Sequence, residues 1–478
     1  MTRLVGLDVG TTSVKGIAVD AHGAVVHVAE RGYPLATPQP GWSEQDPDDW
    51  WRAAAEVLDE CEADRALGIG LSGQMHGLVA LDSDDRPLRP AILWNDGRTQ
   101  KQCEEIEERV GRERLIELTG NRALAGFTAP KLLWLREEEP NVYERIRSIL
   151  LPKDYVRLRL CDEHAIDVAD ASGTLLFDVA QRRWSDEVLD ALEIDRSWLP
   201  RVSESPEVAG ETHGGAPVAA GAGDQAAGAL GVGVVSEGGP ASVVLGTSGV
   251  VFAALDSYSA DPEGRLHAFC HAVPGAWHVM GVMLSAAGSL RWLRDTLGGD
   301  IEYEELLAGA TDWEPGCEGL YFAPYLAGER TPYPDPDARG AFLGLGLRHD
   351  RGALTRAVLE GVAFGLRDAL DLVVEMGGKP ASGRVSGGGG RGSLWLDIVA
   401  SVLDMPLEVT RADEGAAYGA ALLGGVAAGV WGDAREAVET CVQVTRTIEP
   451  RPDWVERYAE LQPGFLRVYP ALRAARGD

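Results

Sequence analysis

Lysine is nearly missing from this chain of 478 residues: there are 5, against 39 arginines. Basic charge as a whole is short, with 44 Lys and Arg against 74 Asp and Glu, a formal net charge of −30. That deficit, spread along the chain, argues against a nucleic-acid partner, because phosphodiester backbones need basic patches. It argues equally against an anionic membrane surface. No run of about 18 apolar residues occurs, so no segment is expected to span a membrane. The start, Met1 to Asp8, has no apolar signal-peptide core. The six cysteines form no CxxC pair, and a chain of this length needs no disulfide staples, so reduced, buried thiols are expected. The signatures GxxxxGK[ST], HExxH and GxSxG are missing too, so any nucleotide chemistry has to run without a P-loop lysine. These absences leave a cytoplasmic enzyme acting on small molecules.

Glycine is what the chain has in excess, 59 residues, roughly 12% against a usual ~7%. Glycine-rich loops are where backbone amides approach phosphate. The apolar stretch Arg3–Val9 predicts a strand, followed by the turn Gly10-Thr11-Thr12-Ser13 and a second strand, Val14–Asp20. The same strand, Gly-Thr-Ser/Thr turn, strand pattern returns at Ala241–Leu245, Gly246-Thr247-Ser248-Gly249 and Val250–Leu255. This weak internal repeat places a similar unit at the head of each half. Helices are predicted over 46–60, with Asp46 as N-cap and Pro47 first, and over 99–118, 128–139, 350–376, 393–403 and 416–428. Those over 99–118 and 128–139 read as charge-rich and amphipathic. Strand–helix alternation in both halves indicates α/β architecture, with a boundary where glycines and Pro240 punctuate the chain at 230–240.

Several constellations carry chemistry. Asp8 ends a strand beside the first glycine turn, where a carboxylate can hold Mg²⁺ through water while amides face phosphate oxygens. An ordinary hairpin is the bland reading, and the second turn at 246–249 weighs against it. Asp224, in Gly221-Ala222-Gly223-Asp224-Gln225, sits at a helix mouth. It reads either as an N-cap or as the general base of a hydroxyl attacking phosphorus. Gln74-Met75-His76-Gly77 and Trp94-Asn95-Asp96-Gly97-Arg98 combine an aromatic face with hydrogen-bonding groups, as a polyol pocket would. Gly387 to Gly392 formally satisfies GxGxxG, which keeps a dinucleotide-binding dehydrogenase open, with Asp413 or Glu414 as the ribose acid. Gly68 to Gly73 matches the same pattern but reads as packing. His267 and His271 share a strand face that Cys270 leaves, which disfavours a metal site.

Taken together, these motifs resemble the FGGY carbohydrate kinases over nearly the whole chain. Stretches that carry the resemblance include Gly6–Lys15, Trp42-Ser43-Glu44-Gln45-Asp46-Pro47, Gly73–Gly77, Ile92–Arg98, Gly126–Trp134, Leu150–Arg159, Gly221–Gly228, Leu245–Gly249, Tyr325–Pro332 and Ser386–Gly390. The Gln-Met-His-Gly and Leu-Pro-Lys-Asp-Tyr segments resemble the branch that phosphorylates D-xylulose. The resemblance implies an actin-like, ribonuclease-H-type fold of two lobes, 1–235 and 236–478, each a mixed sheet flanked by helices. It implies sugar on the first lobe and ATP with Mg²⁺ mainly on the second. Residue by residue, it implies Asp224 as base and Asp8 as the Mg²⁺- and phosphate-associated carboxylate. It aligns Gly10, Thr11, Thr12 and Lys15 with the first phosphate turn, and Gly246, Thr247 and Ser248 with the second. Gly387, Gly388 and Gly389 align with the adenosine loop, and Met75, His76, Trp94, Asn95, Asp96 and Gln225 with the sugar site. Gln225 departs from the Asn of many relatives, which leaves other ketoses or polyols open: ribulose, fuculose, gluconate, glycerol. A non-catalytic, nucleotide-dependent sugar sensor is the rival of another class. A homodimer is expected by family analogy alone.

Overall fold

The computed structural model describes residues 3–299, 301–412 and 415–477. Asp413 and Glu414, the acids a dehydrogenase would need, lie outside the described residues. Two seven-stranded mixed sheets organise the chain. In the first, Leu4–Val9, Ser13–Val19 and Val25–Gly32 form an antiparallel meander, and Gly68–Gly73 runs parallel to Leu4–Val9 on its other side. Pro217–Ala219 and Ala222–Gly223 extend the sheet beyond Gly68–Gly73. In the second, Ala241–Leu245, Gly249–Leu255 and Trp277–Met283 repeat the meander, and Gly383–Ser386 repeats the parallel neighbour. The internal repeat is therefore topological: both glycine turns join the first two strands of equivalent sheets.

Leu4, Val5, Leu7 and Val9 are all fully buried. Such a nearly continuous apolar strand is what a sheet covered on both faces requires. One cover is Pro47–Glu60, whose N-cap Asp46 accepts from the Asp48 amide and whose Val57 lies against Gly16. The other is Gly415–Ala427, a helix of small residues from the second half of the sequence. Its fit depends on missing side chains: a Cβ on Gly70 would stand 1.8 Å from the Ala420 carbonyl oxygen, and one on Gly6 would stand 2.1 Å from that of Ala417. Gly68 is crowded in the same way by Gly424, which confirms the 68–73 glycines as packing. The same helix abuts Asp224–Gly231, since a Cβ on Gly419 would meet the Ala227 carbonyl at 1.8 Å. Both halves of the chain thus press on the helix that Asp224 begins.

Two helical expectations need correction. The run expected at 99–118 breaks into Gln100–Ile106, a π-helical turn Glu107–Gly111 and Arg112–Thr119, with Gly111 at φ +86°. Thr128–Glu138 is a helix, but residues 128 to 135 are all buried, so its first two turns are not amphipathic. Its role at the site, below, accounts for that burial. Among the described residues, no helix is long and apolar enough to cross a membrane. All six cysteines are buried free thiols.

Candidate active site

Three strand ends of the first sheet lie side by side. Asp8 is opposite Ser72 on one neighbour and Lys15 on the other, and Ala222 is opposite Ser72 from the far side. Asp224 follows that last strand directly. It is the first residue of its helix, not the cap: Gly223 holds the cap position, and no side chain caps there. The carboxylate is therefore free of helix capping, and its neighbour Gln225 donates from Nε2 to Asp224 Oδ1 at 3.2 Å.

Burial pushes the Asp224 carboxyl up to about 6. Asp8 is pushed up to about 7, first by burial and then by the Asp224 charge, against the smaller pull of Lys15. Its Oδ1 is buried without a hydrogen-bond partner. An orphaned carboxylate oxygen beside a second carboxylate suits Mg²⁺, which keeps most of its waters and takes one or two carboxylates plus substrate phosphate. The residues present fit that ion, and Asp8 is the carboxylate that would hold it. Among the described residues no cluster of three or more His, Cys, Asp or Glu could hold a metal without such help.

The first glycine turn is held by amides. Gln74 Nε2 donates to the Gly10 carbonyl at 3.2 Å, and Gln45 Nε2 donates to that of Thr11 at 2.7 Å. Trp50 Nε1 and Gln74 Nε2 both donate to Gln45 Oε1, which fixes both amides. Trp94 Nε1 donates to Thr11 Oγ1 at 3.0 Å, so the exposed indole expected to face sugar is tied to the phosphate turn. Asn95 beside it is exposed, and so is Thr12. Asp96 is buried and fully engaged, accepting from the Ser43 amide at 2.6 Å and from the Arg98 guanidinium. Its carboxylate braces the loop instead of opening into the site.

His76 sits at φ +68°, a left-handed conformation that a side-chain-bearing residue adopts only when its surroundings impose it. Thr128 Oγ1 and Lys131 Nζ both donate to its carbonyl, at 3.1 and 2.8 Å, and Lys131 also donates to Gly126 O. This is why the helix at 128 is buried, and it gives the Gly126–Lys131 motif a physical role. The neighbouring Met75 packs on Gly223, where a Cβ would come within 2.7 Å of its Cγ. Met75, next to His76, thus packs on the residue that precedes Asp224.

On the second sheet, the carbonyls of Gly246 and Thr247 accept from Ala287 and Ala286, so the turn is stitched to the start of the helix Ala287–Gly298. Arg291 donates to Thr247 Oγ1 at 2.9 Å. Gly388 and Gly389 border a cavity of about 750 Å³ that Leu290, Tyr303, Leu307 and Trp395 also line. An apolar pocket beside a glycine turn suits a purine ring. Those lining residues were invisible in the sequence, because they come from three separate helices with no local motif. His267, Cys270 and His271 do not converge: they bond to Asn121, the Val179 carbonyl and the Val234 carbonyl respectively.

The N-terminal domain of the FGGY family of carbohydrate kinases matches residues 3–231, and its C-terminal domain matches residues 241–428. The chain belongs to the FGGY family of carbohydrate kinases. Among FGGY relatives, the xylulose kinase of Escherichia coli K12 is 42% identical, over 98% of this chain and 99% of that one. A gluconokinase of Bacillus subtilis is 30% identical, over 97% and 95%. The crystal structure of a xyloylose kinase from Brucella ovis superposes with a TM-score of 0.94 at 41% identity, covering 99% of this chain and all of that one. The FGGY fold is thus the two-lobed, actin-like α/β architecture seen here, and the enzyme is an ATP-dependent sugar kinase that uses Mg²⁺.

Proposed function

We propose that this kinase transfers the γ-phosphoryl group of ATP to the 5-hydroxyl of D-xylulose, with Asp224 as general base. The observation that carries the reading is the buried Asp224 carboxylate, not used as a helix cap and raised to about 6, whose charge acts on Asp8 across the strand Gly68–Gly73. Xylulose kinase is the name of relatives 34–42% identical over nearly the full length, which supports the sugar. Sugar binds the first lobe, 1–235, against Met75 and His76, and ATP binds mainly the second, 236–478, with adenosine in the Gly388–Tyr303 cavity. Closing the lobes excludes water and aligns hydroxyl and phosphorus. Asp224 takes the hydroxyl proton as the oxygen attacks, and the amides of both glycine turns hold the phosphate oxygens. Asp8 would hold Mg²⁺, and the ion when bound would supply neutralisation of phosphoryl charge. The setting we assign is the cytoplasm, where ATP is available.

A panel of D-xylulose, ribulose, fuculose, gluconate and glycerol in an ADP-release assay tests the sugar. D-xylulose should give the highest kcat/KM, and a higher value for gluconate would move the assignment to that acid. Asp224→Ala should lower kcat by ~10²–10⁴-fold while changing sugar affinity far less. Near-normal turnover in this variant would sink the base assignment, and sugar binding without phosphotransfer in the wild type would favour a sensor.

A further inference from the structure

Arg330 has a guanidinium with no hydrogen-bond or ion-pair partner among the described residues, although the side chain is half-buried. Its backbone, by contrast, is tightly held. The Arg330 amide donates to Glu329 Oε1 at 2.7 Å, and the Leu284 amide donates to the same oxygen at 3.1 Å. Thr331 exchanges bonds with Val282, its amide donating to the carbonyl at 3.0 Å and its Oγ1 accepting from the amide at 3.0 Å. The segment is therefore laced to a central strand of the second lobe while its charged tip is left unpaired. A half-buried charge without a partner costs stability, and such costs persist where function needs them.

The segment itself lies beside a junction of the lobes: Thr331 Oγ1 donates to the Arg265 carbonyl at 2.7 Å, two residues before His267. His76 and Phe127 of the first lobe meet edge to face with ring centroids 4.5 Å apart, and His267 and Phe269 of the second stack at 5.7 Å. The two pairs touch through Phe127 and His267 at 5.8 Å and through His76 and Phe269 at 6.2 Å. The charge of Arg330 acts on both His76 and His267. The Arg330–Thr331 segment is thus held next to the strand that carries His267, at the histidine end of the site.

We infer that Arg330 is a specificity-determining residue of the second lobe, donating to the carbonyl and adjoining hydroxyl of the ketose at the end remote from the reacting hydroxyl. A planar fork of donors matches such paired oxygens, and His76 would take a neighbouring hydroxyl from the other lobe. Because the two residues sit on different lobes, sugar bound between them favours closure. The inference rests on the kinase reading above.

The test is Arg330→Met and Arg330→Lys, assayed by ADP release on whichever sugar the wild type turns over best, with ATP varied separately. Expected for Arg330→Met is a sugar KM raised roughly ten- to a hundredfold, the loss of one charged hydrogen-bonding group, with the ATP KM within about twofold. Discrimination between the ketose and its matching polyol should shrink by a similar factor, and Arg330→Lys should recover part of it. Thermal stability of the Met variant should be unchanged or higher, since no partner is stranded. An unchanged sugar KM overturns the inference, and so does a rise confined to ATP. A fall in stability with kcat and both KM values moving together shows a structural role and overturns it as well. Failure of the wild type to phosphorylate any sugar would overturn the kinase reading, which is a different result from an active wild type indifferent to Arg330.

Discussion

His76 Nδ1 lies 2.6 Å from the carbonyl oxygen of Gly173. A carbonyl only accepts, so Nδ1 carries the proton and donates. Burial holds the ring neutral, with its pKa pushed down to about 3. Nε2 is left as an acceptor, which suits a sugar hydroxyl and not a phosphate. His76→Ala should raise the sugar KM about tenfold or more with little change in the ATP KM. The pH dependence of sugar KM in the wild type should show no step of histidine origin between pH 5 and 8. Steady-state kinetics across that range check both, and an unchanged KM for every accepted sugar would count against the assignment.

Asp8 gives a prediction in which stability and activity move in opposite directions. Its ordinary value of 3.8 rises to about 7 in the folded chain. Between those values the unfolded chain has lost the proton and the folded chain still holds it, so stability falls as pH climbs from 4 to 7. Above pH 7 the full penalty applies, at most about 4 kcal/mol. Asp8→Asn removes it. The variant should lose most of its turnover but melt higher than wild type at pH 8, with the gain shrinking toward nothing near pH 4. Melting curves at several pH values decide the matter: a gain that does not vary with pH would show that the Asp8 carboxyl is not raised.

How much of this was legible beforehand follows from the reach of each signal. The paired glycine turns, Asp8 and Asp224 announce themselves because a strand end, a tight turn and a carboxylate fall within a few consecutive residues. The sequence predicts a helix over 416–428, found at Gly415–Ala427, but nothing local says that it covers the first sheet. That fact is held in the fit between Gly70 and Ala420, 350 positions apart in the chain. Asp96 was grouped with the sugar residues by its neighbours Trp94 and Asn95, and its binding to Arg98 depends on a turn that sequence spacing does not specify. Arg330 falls in the stretch Tyr325–Pro332 but sequence assigns it no role, because its unpartnered guanidinium shows only in the folded chain.

Gly388 offers a clean probe of the nucleotide cavity, for reasons its neighbours make plain. Gly387 sits at φ +87°, and a Cβ there would come within 2.8 Å of the Leu245 backbone. At Gly389 a Cβ would come within 2.9 Å of the Leu245 side chain. Substituting either would deform the loop and leave the cause of any lost activity ambiguous. A Cβ on Gly388 meets nothing within 4 Å, its backbone is not left-handed, and it borders the 750 Å³ cavity. Gly388→Leu should therefore fold normally and place its side chain where the purine has to lie. The ATP KM should rise about tenfold or more, while the sugar KM stays within about twofold and the melting temperature is unchanged. If ATP kinetics are untouched, the adenosine lies elsewhere; a matching rise in the sugar KM would mean that the cavity serves both substrates.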